Sequence, residues 1–166
     1  AESAKRCDVV TPLHVGLGSS DAVVSFAAQG TSECSSFCRE VTLVNRHWRP
    51  RVPVADVPVT MRRVDSIVED LKLGPTVMKI DVEGFELEVL KGARDTLENH
   101  GCALFIEVHP YQLGLSGGSE DSLRELLAAH GYGWTVIHRN PNTLYTLLAT
   151  KKRAARPAAR PRSQLP

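Results

Sequence analysis

The chain lacks any apolar run long enough to cross a membrane. A transmembrane helix needs about 18–20 consecutive apolar residues, whereas the apolar runs of this sequence are short and broken by polar or charged residues. Residues 1–6 are small or charged and contain no apolar core, so the sequence shows no signal peptide. We therefore expect a protein that has no transmembrane segment.

Aromatic residues make up only 5% of the chain, which argues against a surface that binds nucleic acid by stacking bases on aromatic rings. Residues 151–166 contain no acidic residue but six of the 20 Lys and Arg residues. The first 150 residues therefore carry 14 basic against 19 acidic residues, a net charge of −5. A net negative charge over these residues also argues against a nucleic-acid partner.

This charge asymmetry predicts the domain organisation. We expect one globular domain over residues 1–150 and a basic, disordered tail over residues 151–166, because the tail has no apolar period. The tail either binds an acidic partner or anionic lipid, or is simply a solvated terminus. The solvated terminus is the interpretation that the composition favours.

The four cysteines lack the spacing of a metal site. Cys34 and Cys38 are separated by three residues and have no second cysteine or histidine pair nearby. Cys102 opens a strand that we expect to be buried, where a free thiol behaves as a small hydrophobic group. Reduced cysteines are typical of cytoplasmic proteins, so we predict a cytoplasmic location, with a Cys34–Cys38 disulfide as the alternative.

Two apolar segments end in side chains that can perform acid–base chemistry. A strand predicted over residues 76–80 is followed by Asp81 and Glu83, and the next predicted strand ends at Glu107 and His109. In an open α/β sheet, ligands lie in the crevice outside the carboxyl ends of the strands. We therefore expect these four side chains to share one edge of a sheet.

The same residues resemble the signature of FkbM-type methyltransferases. The resemblance rests on K-I-D-V-E-G-F-E-L-E-V-L-K-G-A over residues 79–93 and F-I-E-V-H over residues 105–109, and weaker similarity extends from about residue 8 to 150. It implies a class I, Rossmann-like fold and S-adenosylmethionine as the cofactor. It also implies methyl transfer, usually to a hydroxyl oxygen of a small molecule such as a sugar, a glycolipid or a polyketide.

Each candidate catalytic residue has a possible role. An alcohol is a poor nucleophile, so a base should help to remove its proton, and His109 is the natural candidate because an imidazole titrates near neutral pH. Asp81 and Glu107 end adjacent strands, where they orient that imidazole, bind substrate hydroxyls or share a divalent cation. The carboxylates permit a metal ion, but the sequence does not require one, and we predict none.

The resemblance also implies that Gly16, Leu17 and Asp81 contact the cofactor. The stretch from Gly16 to Asp21 lacks the G-x-G-x-x-G spacing of a phosphate loop, so it is a weak candidate on its own. Structural alternatives remain for the acidic residues. Asp81 and Glu83 could cap the following helix, and Glu107 and His109 could be hydrogen-bonded structural residues.

Relative to the family, we expect the chain to enter the fold at the third strand, without the glycine-rich cofactor loop. Two functions then remain open. The chain is either the downstream part of an O-methyltransferase whose cofactor loop lies in upstream sequence, or a catalytically inactive remnant that acts as an interaction module. Missing strands would expose a sheet edge and promote self-association.

Hydrophobic patterns predict an α/β protein whose sheet is mostly parallel and carries a C-terminal antiparallel hairpin. The predicted strands cover residues 9–15, 22–27, 76–80, 104–108, 132–138 and 143–150. Helices are predicted over residues 64–71 and 119–130. A third helix, about fourteen residues long, is predicted to follow the strand over residues 76–80. Residues 28–58 are predicted to form an irregular connection, either a substrate lid or a variable surface insertion.

Overall fold

The computed structural model describes residues 9–30, 35–45, 52–140 and 144–151. Helices and strands alternate along most of these residues, which confirms the α/β class. The strands are β1 (Gly16–Leu17), β2 (Ala22–Ala28), β3 (Ala55–Arg62), β4 (Val77–Ile80), β5 (Ala103–Val108), β6 (Tyr132–Arg139) and β7 (Tyr145–Lys151). The helices are α1 (Arg39–Asn45), α2 (Val64–Asp70), α3 (Glu86–Lys91), α4 (Arg94–Asn99), α5 (Pro110–Leu115) and α6 (Glu120–Ala129).

The described strands form two sheets of mixed direction. The first has the order β1-β3-β2 and the second the order β4-β5-β7-β6. Only β1–β3 and β4–β5 are parallel pairs, so the prediction of a mostly parallel sheet is wrong. The reason is that β3 runs back along β2, and the terminal hairpin inserts β7 beside β5. The hairpin itself was predicted and is confirmed.

Parallel pairing of β4 and β5 brings the two predicted acidic strand ends together. Ile80, the last residue of β4, lies opposite Ile106, so the residues that follow, Asp81 and Glu107, lie at the same end of the two strands. On β5, Leu104 and Ile106 are buried in the core, while Glu107 belongs to the other face of the strand. The alternation of a strand therefore directs this carboxylate away from the core.

Strand β4 is less buried than the sequence predicted. Val77 is 57% exposed, and β5 is the only neighbour of β4 among the described strands. An apolar run can therefore belong to an open sheet edge, which the hydrophobic pattern alone cannot reveal. The core lies instead between β5, β7 and the helices α3, α4 and α6. Its fully buried members include Leu90, Leu97, Leu104, Ile106, Leu123, Leu127 and Leu147.

The helix that follows β4 is broken in two, whereas the sequence predicted one helix of about fourteen residues. The break lies at Gly92 and Ala93, between α3 and α4. A Cβ atom at Gly92 would lie 2.0 Å from the carbonyl oxygen of Gly18, so only glycine allows this approach. The backbone oxygen of Gly92 also accepts a hydrogen bond from Asp65 N. Tertiary packing therefore ends the helix.

Asp65 lies in the first turn of α2 but caps a different helix, α4. The N-cap of α2 is Arg63, which makes no side-chain cap hydrogen bond. Asp65 accepts instead from the backbone N–H groups of Asp95 and Thr96, at 3.2 Å and 2.8 Å, in the first turn of α4. It thereby satisfies two N–H groups that have no partner within their own helix. By contrast, α6 is capped by its own N-cap residue, Ser119, whose side chain accepts from Ser122 N.

Two further predictions are wrong in the first half of the chain. The strand expected over residues 9–15 is absent, and the chain becomes a strand only at Gly16 and Leu17. Val9, Val10 and Leu13 are exposed, and Pro12 has no N–H to donate. The connection expected over residues 28–58 contains α1 and the first half of β3.

The other predicted elements are present with small shifts at their ends. These are the strands predicted over 22–27, 76–80, 104–108, 132–138 and 143–150 and the helices predicted over 64–71 and 119–130. Helix α5 was not predicted. Residues 152–166, which contain most of the predicted basic tail, lie outside the described residues. In the part of the chain that the structure describes, no helix is both long enough and apolar enough to span a membrane.

Gly92→Ala is expected to lower the free energy of unfolding by about 1–3 kcal/mol, because the added methyl group overpacks the contact with Gly18. Helix propensity alone would predict a gain of about 1 kcal/mol. Urea denaturation of the two proteins measures the difference. Gly114→Ala is the matched control, since its Cβ meets no atom within 4 Å. A stability of Gly92→Ala equal to or above that of the wild type contradicts the packing argument.

Candidate functional site

A lysine joins the two carboxylates at the ends of β4 and β5. Lys79 Nζ lies 2.9 Å from Asp81 Oδ2 and 3.5 Å from Glu107 Oε2. All three side chains are partly exposed to solvent. Asp81 and Glu107 therefore lie on the same side of the sheet and are accessible, as the sequence predicted.

A tight turn follows β4 and places Glu83. Phe85 N donates to Val82 O at 3.3 Å, and the two residues between them have positive φ angles of 50° at Glu83 and 91° at Gly84. Positive φ at both central positions is typical of a type I′ turn. Gly84 is required, because a Cβ atom there would lie 2.5 Å from the backbone of Gln112. A non-glycine residue such as Glu83 adopts this conformation at a cost.

Behind this turn lies a buried pair of Glu86 and His109. Glu86 Oε1 lies 2.7 Å from His109 Nδ1 and also accepts a hydrogen bond from Gly84 N at 2.9 Å. The side chain of Glu86 is 0% exposed and that of His109 is 2% exposed. A buried charge is costly unless it is paired and hydrogen-bonded. The pair therefore joins the start of α3, the turn and the end of β5.

Glu83 lies between this pair and the solvent. Glu83 Oε1 is 3.6 Å from His109 Nε2, and Glu83 Oε2 accepts a hydrogen bond from Asn45 Nδ2 at 3.1 Å. Burial raises the pKa of Glu83, and it outweighs the positive charge of His109 and the hydrogen bond from Asn45, both of which lower it. Glu83 is thus a carboxylate with a raised affinity for a proton.

The surrounding acids also change the pKa of His109. Burial by itself lowers the pKa of His109, but the hydrogen bond and charge of Glu86 raise it, as do the charges of Glu83 and Asp81. The net result is a pKa above the ordinary value of 6.5. The charged imidazole is therefore stabilised relative to a histidine in water.

A cavity of about 350 Å³ opens beside these acids. Gly16, Leu17, Asp81 and Glu83 all line it, together with Phe26, Phe37 and Phe85 among others. The structure thus brings the three predicted cofactor contacts and two of the four predicted catalytic residues around one cavity, with Asp81 belonging to both sets. Glu107 and His109 do not line it. His109 lies 3.6 Å from Glu83, which does, whereas Glu107 is linked to Asp81 through Lys79.

A second cleft of about 350 Å³ lies between the residues before β1 and the open side of β4. Its lining is apolar apart from Lys79, and it includes Leu13, Leu17, Met78 and Ile80. No carboxylate or imidazole lines it. Of these two cavities, only the first is lined by acidic side chains, and we call it the acidic cavity.

Three side chains at this edge can also act as metal ligands. Asp81, Glu107 and His109 each place one potential donor atom within 4.8 Å of the other two. The sequence analysis predicted no metal ion, and the donor set makes that prediction worth testing.

The helix-capping explanation of Asp81 and Glu83 does not fit the structure. The N-cap residue of α3 is Phe85, and it makes no side-chain cap hydrogen bond. Asp81 is paired with Lys79, and Glu83 with Asn45. The side chains of both acids therefore point to other groups than the helix terminus.

Glu86 and Asn45 are site residues that the sequence analysis missed. Glu86 precedes Leu90 by four residues and Ala93 by seven, so it lies on the buried stripe of the helical pattern. An acid on that stripe was the available signal. Asn45 belongs to α1, which falls in a segment predicted to be irregular, and nothing local indicated that it meets Glu83.

Comparison with known proteins identifies the family of this chain. The sequence profile of the methyltransferase FkbM domain matches residues 2–133. The chain belongs to the FkbM methyltransferase family. Its likeness to the crystal structure of methyltransferase FkbM from Methylobacillus flagellatus KT has a TM-score of 0.52 at 20% identity, over 90% of this chain and 31% of that one. At that identity the likeness concerns the fold alone.

Two named relatives carry the family resemblance at the sequence level. The chain is 32% identical over 108 residues to hexuronic acid methyltransferase AglP of Haloferax volcanii, covering 60% of this chain and 37% of AglP. It is 34% identical over 73 residues to AMB antimetabolite synthetase AmbE of Pseudomonas aeruginosa, covering 43% of this chain and 3% of AmbE. The FkbM-family chain thus spans little more than a third of AglP and a small fraction of AmbE.

Glu86→Gln is expected to lower the pKa of His109 toward 6.5, because the carboxamide keeps the shape of Glu86 but carries no charge. NMR titration of the imidazole measures this pKa, with a chelator present so that no metal ion binds the ring. Glu98→Gln, an exposed position on α4, is the matched control. An unchanged His109 pKa in a folded Glu86→Gln protein contradicts the assignment.

The same pair predicts a pH dependence of stability. The folded state holds the His109 proton more tightly than the unfolded state, so the stabilisation is fully present below about pH 6.5. It is lost as the pH rises through the higher pKa of the folded state. Urea denaturation at several pH values is expected to show a smaller loss for Glu86→Gln than for the wild type.

Proposed function

We propose that the chain provides the acceptor-binding and acid–base residues of an S-adenosylmethionine-dependent O-methyltransferase. One observation supports this most strongly. The acidic cavity places Gly16 and Leu17 beside Asp81 and Glu83, so the predicted cofactor contacts and a proton acceptor meet at one place. Family membership supports the reaction class, and the cavity is where we propose that the reaction takes place.

The acidic cavity suits the proposed cofactor in size and charge. Small-molecule sites typically enclose about 300–1,000 Å³, and this cavity lies in that range. S-adenosylmethionine, when bound, supplies a methyl group on a positively charged sulfonium sulfur. The carboxylates of Asp81 and Glu83 are complementary to that charge. The phenylalanines of the lining offer an apolar surface to a planar base.

Within this cavity we assign proton acceptance to Glu83. It lines the cavity, whereas His109 lies behind it and is almost completely buried. Bound S-adenosylmethionine would supply the methyl group, and Glu83 Oε1 would accept the proton that the acceptor hydroxyl loses as its oxygen is methylated. His109 then acts as a positioning residue, since its imidazolium stabilises the carboxylate of Glu83. A base of raised pKa is suited to this step.

The acceptor is proposed only as a class. AglP is named as a hexuronic acid methyltransferase, and we extend to this chain a hydroxyl-bearing sugar, lipid or related small molecule. Asp81 is partly exposed at the cavity wall, where a carboxylate can accept hydrogen bonds from acceptor hydroxyl groups. Cys38 and Cys102 are free thiols, which supports the cytoplasmic location that we propose.

The cofactor site is proposed to be completed by sequence outside this chain. Among the described residues, Gly16 and Leu17 line the cavity, but the glycines there do not have the spacing of a G-x-G-x-x-G loop. The relatives extend well beyond the matched region. We therefore assign whole-enzyme activity to the native protein that contains this chain.

A second candidate function is protein interaction through an open sheet edge. Strand β4 pairs on one side only among the described strands, and Val77 on it is largely exposed. Such an edge can pair with a strand of another chain or of a second copy. Methyl transfer is favoured over this candidate because the edge alone gives no reason for the acids of the cavity.

Glu83→Gln in the native protein is expected to lower kcat for methyl transfer by about 10²–10⁴-fold, the usual contribution of a general base. Transfer of an isotope-labelled methyl group to a panel of sugar acceptors measures this, with KM for the acceptor nearly unchanged. The control is Asp121→Asn, whose side chain is 87% exposed. Wild-type kcat in Glu83→Gln contradicts the assigned role, and absence of transfer by any form favours the interaction module.

A further inference from the structure

The negative charge of the acids at the ends of β4 and β5 exceeds the positive charge of the described groups that contact them. Four carboxylates lie within or beside the site, those of Asp81, Glu83, Glu86 and Glu107. Among the residues that the structure describes, the cationic groups that contact them are Lys79, which bridges Asp81 and Glu107, and His109 when it is protonated. A surplus of negative charge in a partly buried site is costly unless a further cation offsets it.

The donor set at this edge has the dimensions of a coordination sphere. Two ligands on opposite sides of a divalent cation lie about 4–5 Å apart, twice the usual metal–ligand distance. Donor atoms of Asp81, Glu107 and His109 all lie within 4.8 Å of one another. Three donor atoms at these separations can contact one ion that lies between them.

The buried histidine gives a second and independent indication. His109 is 2% exposed, and its Nδ1 is held by the buried carboxylate of Glu86. In the described part of the chain, Nε2 has no hydrogen-bond partner, and its nearest carboxylate oxygen, on Glu83, is 3.6 Å away. A metal-binding histidine usually donates its other ring N–H to a carboxylate in this way, which fixes the ring and makes the ligand more basic.

We propose that Asp81, Glu107 and His109 bind one divalent cation at the edge of the acidic cavity. Two carboxylate oxygens and one imidazole nitrogen form a mixed donor set that suits Mn²⁺ or a similar cation. Asp81 belongs both to this site and to the lining of the cavity. If the proposed methyl transfer is correct, the bound cation can hold an acceptor oxygen and lower the pKa of its hydroxyl. Cation binding itself does not depend on that function.

Lys79 occupies the position between two of the proposed ligands. Its ammonium group lies between Asp81 and Glu107, where it competes with a metal ion for the same oxygens. Entry of the ion therefore requires Lys79 to swing toward solvent, and its partial exposure allows this movement. The ammonium acts as a counterion for the two carboxylates when no metal is bound.

A titration of the full chain with Mn²⁺ tests the proposal without cofactor or acceptor. The electron paramagnetic resonance signal of the free ion measures how much Mn²⁺ is bound. The wild type is expected to bind one ion per chain below about 1 mM, the weak end of the range for carboxylate sites. Asp81→Asn and Glu107→Gln should each weaken binding about tenfold or more. Lys79→Met should strengthen it, because the competing charge is gone.

Asp121→Asn is the control, as it removes a solvent-exposed carboxylate on α6. Circular dichroism of each variant shows whether it is folded. Absence of binding to the wild type overturns the proposal, as does equal binding to Asp81→Asn and Glu107→Gln or weaker binding to Lys79→Met. Mn²⁺ binding without methyl transfer by the native protein would support the cation site and contradict the proposed function. Methyl transfer without Mn²⁺ binding would support the proposed function and contradict the cation site.

Discussion

The buried contact between Glu86 and His109 is the interaction on which the geometry of the site depends. It joins the first residue of α3 to the end of β5, and Gly84 N donates to the same carboxylate oxygen. Removing one partner of such a pair typically costs about 3–5 kcal/mol, because the other is left buried and uncompensated. This cost keeps His109 in one orientation, behind Glu83 and beside the carboxylates at the strand ends.

Backbone geometry and charge support each other around this pair. The turn after β4 has positive φ at Glu83 and Gly84, and Gln112 of α5 leaves space there only for glycine. The turn is therefore tied to α5 by steric fit and to β5 by the buried pair. Glu83 is directed toward the cavity as a result. A flexible loop would lose orientational precision at the residue to which we assign proton transfer.

The sequence predicted the location of the site better than its internal arrangement. Asp81 and Glu107 follow apolar strands, so a general rule about parallel strands was enough to bring them together. Glu86 was not predicted as a site residue, although it lies on the buried stripe of the helical pattern. Its partner His109 is 23 residues away, and no local pattern reports a contact over that separation. The break at Gly92 was missed for the same reason, because its cause is the backbone of Gly18.

The central claim is that the acidic cavity receives the methyl donor. Amide-resolved NMR spectra of the isotope-labelled chain, recorded during titration with S-adenosylmethionine, test this most directly because even weak binding shifts nearby resonances. The account predicts concentration-dependent shifts for Gly16, Leu17, Asp81 and Glu83. Unchanged spectra, or shifts confined to residues of the apolar cleft such as Leu73 and Met78, would contradict it.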